Sequence, residues 1–205
     1  MSKIGIANFS SPGHINPSIT LAKELARRGH DVTFYTLSNG SEKIEAAGFR
    51  SRTYGLDEFD PDRIAESFRK LGELAGFEAV RFTVDMMKRR AGVGLRDLPS
   101  CLREDRIDGL VVDQVVPAGA VVARAENIPF VTLSNALPTN TDTIAPPVFT
   151  SRGPARGLID RLGIRLLNGL QARLSKPILD VVNQFQQERR LPKFTAISEL
   201  RSDLA

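Results

Sequence analysis

The stretch KIGIANFSSPGHINPSITLAKELARRGHDVTFYT, residues 3–36, decides the fold because it has the pattern of a strand, a helix and a second strand. Its first seven residues form a short apolar run that ends at a Ser-Ser-Pro-Gly turn, which is typical of a buried strand. A helix is predicted from Asn16, with Pro17 at its first helical position and Gly29 as its left-handed stop. Residues 31–36 are β-branched and aromatic and predict a second strand. Strands joined by a helix run parallel, so the class is α/β.

The same alternation continues along the chain. After the first unit, apolar runs bounded by turn residues predict further helices and strands: helix 41–48, strand 49–55, helix 61–90, strand 108–113, helix 118–127 and strand 129–134. A long irregular run, 135–154, follows, and a loop of that length is usually functional. Two helices, 155–174 and 176–190, complete the pattern. The prediction is a Rossmann-like open parallel sheet flanked by helices, in one domain over residues 1–205.

Composition excludes several classes of protein. The chain has 205 residues, a net charge of +4 and 41% hydrophobic residues, which is ordinary for a globular domain. No basic stripe with interleaved aromatic residues occurs, so nucleic acid is not an expected partner. The single cysteine, Cys101, excludes an internal disulfide and suits a reducing compartment. No signal-peptide core or membrane span is recognisable, and the expected location is the cytoplasm.

A histidine and an aspartate are predicted to meet at one edge of this sheet. His14 follows the carboxyl end of the first strand, and Asp113 leaves the strand 108–113, whereas Asp108 enters that strand and belongs to the far edge. Ligands of open α/β sheets bind at the carboxyl ends of the strands. A carboxylate there could orient the imidazole, which could then take a proton from a hydroxyl nucleophile. The alternatives are that His14 is only a polar surface residue and that Asp113 is a helix N-cap.

A dinucleotide site is not expected in the first strand-to-helix turn. That site needs several glycines, so that the backbone amides can approach a pyrophosphate. The turn, residues 8–17, has one glycine, and Pro12 and Pro17 each lack an amide proton. We therefore predict no cofactor-binding residues. The second histidine, His30, follows a helix-capping glycine and is interpreted as structural.

The segment SSPGHINPSITLAKELARRGHDVTFYT resembles the opening of the family 1, UDP-sugar-dependent glycosyltransferases, which have the GT-B fold. The segment DGLVVDQVVPAGAVVARAENIPFVTLS resembles the strand–helix–strand that carries the family's aspartate. The run NALPTNTDTIAPPVFTS is most similar to the bacterial subgroup that includes zeaxanthin and macrolide glucosyltransferases. The resemblance covers essentially the whole chain and is densest at residues 3–55 and 107–150.

This resemblance implies one half of a GT-B fold and an inverting, metal-independent sugar transfer to a hydroxyl of a lipophilic acceptor. His14 would be the catalytic base and Asp113 its partner. Phe9, Ser11 and Asn135 would line the acceptor pocket. The donor would be a UDP-sugar.

The family binds its nucleotide sugar mainly with a second domain, whose signature holds a His-Cys-Gly segment, an Asn-Ser pair and a late Asp/Glu-Gln pair. Here both histidines occur by position 30, and the only cysteine lies in PSCLRED. We therefore expect an acceptor-binding half that is truncated at its C-terminal end, lacks the donor domain and is inactive alone. A separate donor-domain chain is a candidate partner. The alternative is a non-catalytic small-molecule-binding module or a remnant of the enzyme.

Residues 151–176 carry six basic side chains and one acidic one in a leucine-rich helix. Such a helix could make peripheral contact with a membrane surface. Arg165 falls only about 20° around the helix from Leu158, however, so the polar and apolar faces are poorly separated. A solvated or substrate-channel helix is the competing interpretation.

Overall fold

A five-stranded, wholly parallel sheet lies at the centre of the computed structural model, which describes residues 1–136, 144–147, 150 and 152–202. The strands are β1 (Lys3–Ala7), β2 (Asp31–Thr36), β3 (Arg50–Thr53), β4 (Gly109–Asp113) and β5 (Phe130–Leu133). The helices are α1 (Pro12–Arg27), α2 (Ser41–Ala46), α3 (Pro61–Glu73), α4 (Gly76–Asp105), α5 (Pro117–Ala125) and α6 (Leu158–Glu188). The predicted α/β class with a Rossmann-like open sheet is confirmed.

The strand order, β3-β2-β1-β4-β5, positions the site. The chain runs outward from β1 to β3 on one side and then returns to place β4 on the other side of β1. Ala7, the last residue of β1, pairs with Val112. The segments that leave β1 and β4 therefore start side by side, although about a hundred residues separate them in the chain. This reversal of strand order is where open α/β sheets form their ligand crevice.

Both faces of the sheet are buried, as a parallel sheet requires. Side chains alternate along a strand, so Ile6 packs with α1 and α2 while Ala7 packs with α4 and α5. The same alternation divides Val111 from Val112 in β4. This burial on two faces explains why the strands appear in the sequence as continuous apolar runs.

The first helix begins earlier than predicted. It starts at Pro12, so His14 lies in its first turn, and Pro17 lies inside the helix instead of at its start. Pro12 satisfies the same preference for proline at the first helical position, where the missing N–H costs no hydrogen bond. Pro17 removes one further helical hydrogen bond, but it is exposed, so water can reach the unpaired carbonyl.

Two other helix boundaries also differ from the prediction. The region predicted as one helix over 61–90 is α3 followed by α4, and α4 continues to Asp105 through Pro99. The two predicted helices 155–174 and 176–190 are one helix, α6, with Pro177 inside it. In both long helices, packing along their length against each other holds the helix together across a proline.

Much of the irregular run 135–154 lies outside the described residues. Among the described helices, none has a stretch long and apolar enough to span a bilayer.

Two glycines of α4 give a test of how closely the helices pack. A Cβ on Gly94 would lie 2.7 Å from the Cβ of Ala118 in α5, whereas a Cβ on Gly92 would lie 3.8 Å from the nearest atom, in Val181. Gly94→Ala should therefore lower the free energy of unfolding by about 1–3 kcal/mol through overpacking. Gly92→Ala should raise it by up to about 1 kcal/mol through helix propensity. Chemical denaturation of both variants checks this, and equal effects would contradict the close approach of α4 and α5.

Candidate active site

The carboxyl ends of β1 and β4 bring His14 and Asp113 into direct contact. The Nδ1 atom of His14 lies 2.6 Å from Oδ2 of Asp113. The aspartate side chain is fully buried and the imidazole is 17% exposed. Asp113 ends β4, and His14 stands in the first turn of α1, so each side chain is fixed by a regular element. The two residues predicted to share this edge therefore do meet there.

The contact defines where the imidazole carries its proton. An ionised carboxylate can only accept hydrogen bonds, so Nδ1 of the neutral His14 ring must donate. The Nε2 lone pair is then left to accept a proton. No hydrogen bond from a described residue engages Nε2, and the ring is partly exposed. Chemically, such an arrangement can act as a general base with an orienting carboxylate.

Asn135 and Ser18 tie the dyad to its surroundings. The Asn135 Nδ2 atom lies 3.2 Å from Asp113 Oδ2, 3.1 Å from Ser18 Oγ and 3.2 Å from the His14 carbonyl oxygen. The Ser18 hydroxyl lies 2.7 Å from Asn8 Oδ1 and 2.8 Å from the His14 carbonyl. An amide nitrogen has two protons, so Asn135 shares them among three acceptors. These bonds hold the end of β1, the start of α1 and the segment after β5 in one arrangement.

The other two predicted pocket residues differ in what they contribute. The Phe9 ring packs edge-on against His14, with 5.2 Å between the ring centroids. Ser11 is the N-cap residue of α1, but its hydroxyl makes no capping bond, and its carbonyl accepts from the amides of His14 and Ile15. Ser11 thus positions the histidine through its backbone. Whether Phe9, Ser11 and Asn135 contact an acceptor remains a prediction.

The alternative interpretations of Asp113, Asp108 and His30 can also be compared with the structure. Asp113 is not a helix N-cap, because α5 begins at Pro117 with Val116 as its cap. Instead, Asp113 Oδ1 accepts from the Val115 amide at 3.2 Å. Asp108 lies at the opposite edge, where its Oδ2 accepts from the Lys3 amide at 2.8 Å. His30 also precedes its strand, β2, and so lies at that opposite edge.

Two cavities are lined by residues that neighbour the dyad in the chain or contact it. A cavity of about 350 Å³ lies between α4, α6 and residues 195–198, which follow α6. Its lining includes Gln114 and Val115, which directly follow Asp113 in the chain, and the lining surface is otherwise largely apolar. A much smaller one, of about 20 Å³, lies beside Phe9 and Asn8. Both are lined by Met87, Val115 and Pro117, so they share one wall.

Other features of the described residues are less suited to removing a proton from a hydroxyl nucleophile. A larger groove of about 660 Å³ between α3 and α4 is lined by six charged side chains and by none of the dyad's partners. No group of three or more histidine, cysteine, aspartate or glutamate residues placed to hold a metal ion occurs in the described part of the chain.

Sequence reasoning missed three residues around the site: Asn8, Ser18 and Arg90. Two of them carry a recognisable signal, since Asn8 directly follows β1 and Ser18 lies one helical turn after His14, on the same face of α1. Arg90 lies in the middle of α4 and gives no such signal, because its proximity to Phe9 depends on how α4 packs on the sheet.

The sequence of this chain is similar to the sequences of known glycosyltransferases. A zeaxanthin glucosyltransferase of Pantoea ananas is 30% identical over 133 residues, which are 65% of this chain and 31% of that protein. The NDP-glycosyltransferase YjiC of Bacillus subtilis (strain 168) is 25% identical over 138 residues, which are 67% of this chain and 33% of that protein. No protein-family model matches the chain. The chain spans about a third of the length of these curated relatives.

Solved structures show the same fold. The calicheamicin glycosyltransferase CalG4 superposes with a TM-score of 0.62 at 22% identity, over 97% of this chain and 43% of that one. The glycosyltransferase VinC, solved in complex with dTDP, gives a TM-score of 0.59 at 16% identity, over 95% of this chain and 46% of that one. The chain therefore has the fold of one Rossmann-like half of a GT-B glycosyltransferase. In sequence it is similar to glycosyltransferases over about two thirds of its length, which confirms the predicted resemblance.

The tautomer of His14 gives a direct test of the dyad. With only two histidines in the chain, their ¹⁵N resonances are readily distinguished. When the His14 ring is neutral, its Nδ1 atom should carry the proton. Asp113→Ala should shift the ring toward the Nε2-protonated form that imidazoles prefer in water, because the acceptor for Nδ1–H is lost. Asp108→Ala, at the opposite edge of the sheet, should leave the spectrum of His14 unchanged. An unaltered His14 tautomer in Asp113→Ala would contradict the geometry.

Proposed function

We propose that these residues form the acceptor-binding half of an inverting glycosyltransferase, which moves a sugar from a UDP-sugar to a hydroxyl of a lipophilic acceptor. The observation that carries the proposal is the 2.6 Å contact between His14 Nδ1 and Asp113 Oδ2. The similarity to zeaxanthin glucosyltransferases supports the same class of reaction.

The proposed chemistry follows from the free Nε2 of His14. It takes the proton of the acceptor hydroxyl while that oxygen attacks the anomeric carbon of the sugar. The bond from that carbon to the diphosphate breaks on the opposite side, so the configuration inverts and the electron pair leaves with the diphosphate. The buried Asp113 carboxylate stabilises the imidazolium that forms and keeps the ring oriented.

The cavity of about 350 Å³ supports a lipophilic acceptor. Its walls include Met87, Pro117, Ile178 and Leu179, together with Gln114, which directly follows Asp113 in the chain. Such a volume is at the lower end of the range for small-molecule sites, which are lined mainly by apolar side chains. We propose that the apolar part of the acceptor occupies this cavity and presents its hydroxyl to His14.

We further propose that the UDP-sugar is held mainly by polypeptide outside these 205 residues. Departure of a diphosphate needs positive charge or helix amides to neutralise it. The relatives are about three times as long as the matched segment. The isolated chain should therefore transfer no label from UDP-[¹⁴C]glucose to a lipophilic alcohol, and addition of a donor domain from a related glycosyltransferase should restore transfer. Transfer by the isolated chain would contradict this division of labour.

The catalytic role of His14 can be tested in that reconstituted enzyme. His14→Ala should lower the rate of sugar transfer by about 100- to 10,000-fold, because the general base is lost. Acceptor binding, measured by calorimetry, should change little. The matched control is His30→Ala, which removes the other histidine and should leave the rate unchanged. A His14→Ala enzyme with the full rate would show that the dyad does not act as the base.

A second candidate is a non-catalytic binding module, because the described residues form the apolar cavity without help from another domain. It predicts tight binding of lipophilic small molecules together with no transfer in any reconstituted assembly. Restored transfer would exclude it.

A further inference from the structure

A buried arginine lies beside the proposed acceptor site, and no residue in the described part of the chain serves as its counter-ion. Arg90, in α4, is only 8% exposed. Its Nε and Nη1 atoms are buried, and no described residue forms a hydrogen bond with them or supplies a carboxylate partner. An unpaired charge is costly to bury, so this residue calls for an explanation. The pKa of Arg90 is lowered by that burial, although a guanidinium stays protonated in proteins.

Three phenylalanines surround the guanidinium. Its carbon lies 4.6 Å from the ring centroid of Phe9, 5.5 Å from that of Phe68 and 5.9 Å from that of Phe59. The faces of aromatic rings attract a cation and offset part of the cost of burial. They do not supply the lone pairs that the guanidinium N–H groups need, however. The cage therefore stabilises the charge and leaves hydrogen-bond donors unused.

Arg90, whose donors are unused, lines the smaller of the two cavities. The cavity of about 20 Å³ is lined by Arg90 together with Ser10 and Tyr54. The Ser10 hydroxyl, on a residue that is 2% exposed, also has no hydrogen-bond partner among the described residues. None of the lining residues is acidic. The volume is enough for one water molecule or one carboxylate oxygen. A negatively charged oxygen would satisfy both the charge and the donors.

This cavity lies next to the proposed acceptor cavity. Met87, Val115 and Pro117 line it together with the apolar cavity of about 350 Å³. Since the Phe9 centroid is 4.6 Å from the guanidinium carbon and 5.2 Å from the His14 centroid, these two groups are at most about 10 Å apart. One small molecule can therefore reach the arginine with one end and the histidine with a hydroxyl.

We propose that Arg90 and Ser10 bind a carboxylate of the acceptor, so that the acceptors of this site are lipophilic hydroxy acids. The proposal rests on the function proposed above for its substrate, but the anion site itself does not depend on catalysis. It makes Arg90 a specificity-determining residue that selects anionic acceptors over neutral ones of the same shape.

Binding of two matched ligands tests the proposal without a sugar donor. Calorimetry should show that 4-hydroxybenzoate binds about tenfold more tightly than the neutral 4-hydroxybenzamide, because a charged hydrogen bond replaces a neutral one. Arg90→Gln should abolish this preference. Arg89→Gln is the matched control, since Arg89 is the exposed neighbour on the same helix and its loss removes the same charge. Equal binding of the two ligands, or a preference that survives Arg90→Gln, would overturn the proposal.

Two further measurements keep the test decisive if Arg90→Gln does not fold. Crystals of the unaltered protein soaked in bromide should show an anomalous peak between Arg90 and Ser10; bromide found only elsewhere would count against the site. His14→Ala should keep the preference for 4-hydroxybenzoate. Failure of sugar transfer with the preference intact would therefore count against the proposed reaction alone, and loss of the preference in the unaltered protein against the anion site alone.

Discussion

The hydrogen bond between His14 and Asp113 is the interaction on which the proposed function depends. It exists because β1 lies between β2 and β4, so that two segments distant in the chain leave the sheet side by side. The bond needs no flexible loop on either partner: one residue ends a strand and the other stands in the first turn of a helix. A one-residue slip of β4 against β1 would turn Asp113 to the other face of the sheet. The burial of Val111 and Val112 on opposite faces makes such a slip costly, so the core fixes the site.

The order of elements could be predicted from the sequence because each strand is a short apolar run closed by turn residues. Gly29 and Gly48 end their helices in the left-handed conformation, as their positions after helical patterns indicate. Two of the errors involve prolines, because Pro17 was taken as the start of a helix and Pro177 lies near the predicted start of another. Pro17 and Pro177 both lie inside helices, since a single missing N–H is outweighed by packing that the local sequence does not reveal.

The site was predictable only in part, and for a physical reason. Residues at the ends of strands are assigned to an edge of the sheet by chain direction alone, and this brought His14 and Asp113 together. Asn135 was expected near the site, but its role in tying Asp113 to Ser18 depends on the path of the chain after β5. Arg90 could not have been found, because its position depends on the angle at which α4 crosses the sheet.

The surroundings of the dyad combine an apolar cavity with a buried positive charge, and each affects the proposed proton transfer in a different way. An acceptor bound as proposed in the apolar cavity beside Gln114 and Val115 would exclude water, which would strengthen the electrostatic effect of the buried Asp113 carboxylate on the imidazole. The same exclusion of water raises the cost of keeping a positive charge at Arg90 nearby. That cost is reduced by Phe9, whose ring contacts both the arginine and the histidine. Protonation of His14 would add a second positive charge close to Arg90, and an anionic ligand at Arg90 would favour that protonated state during proton transfer.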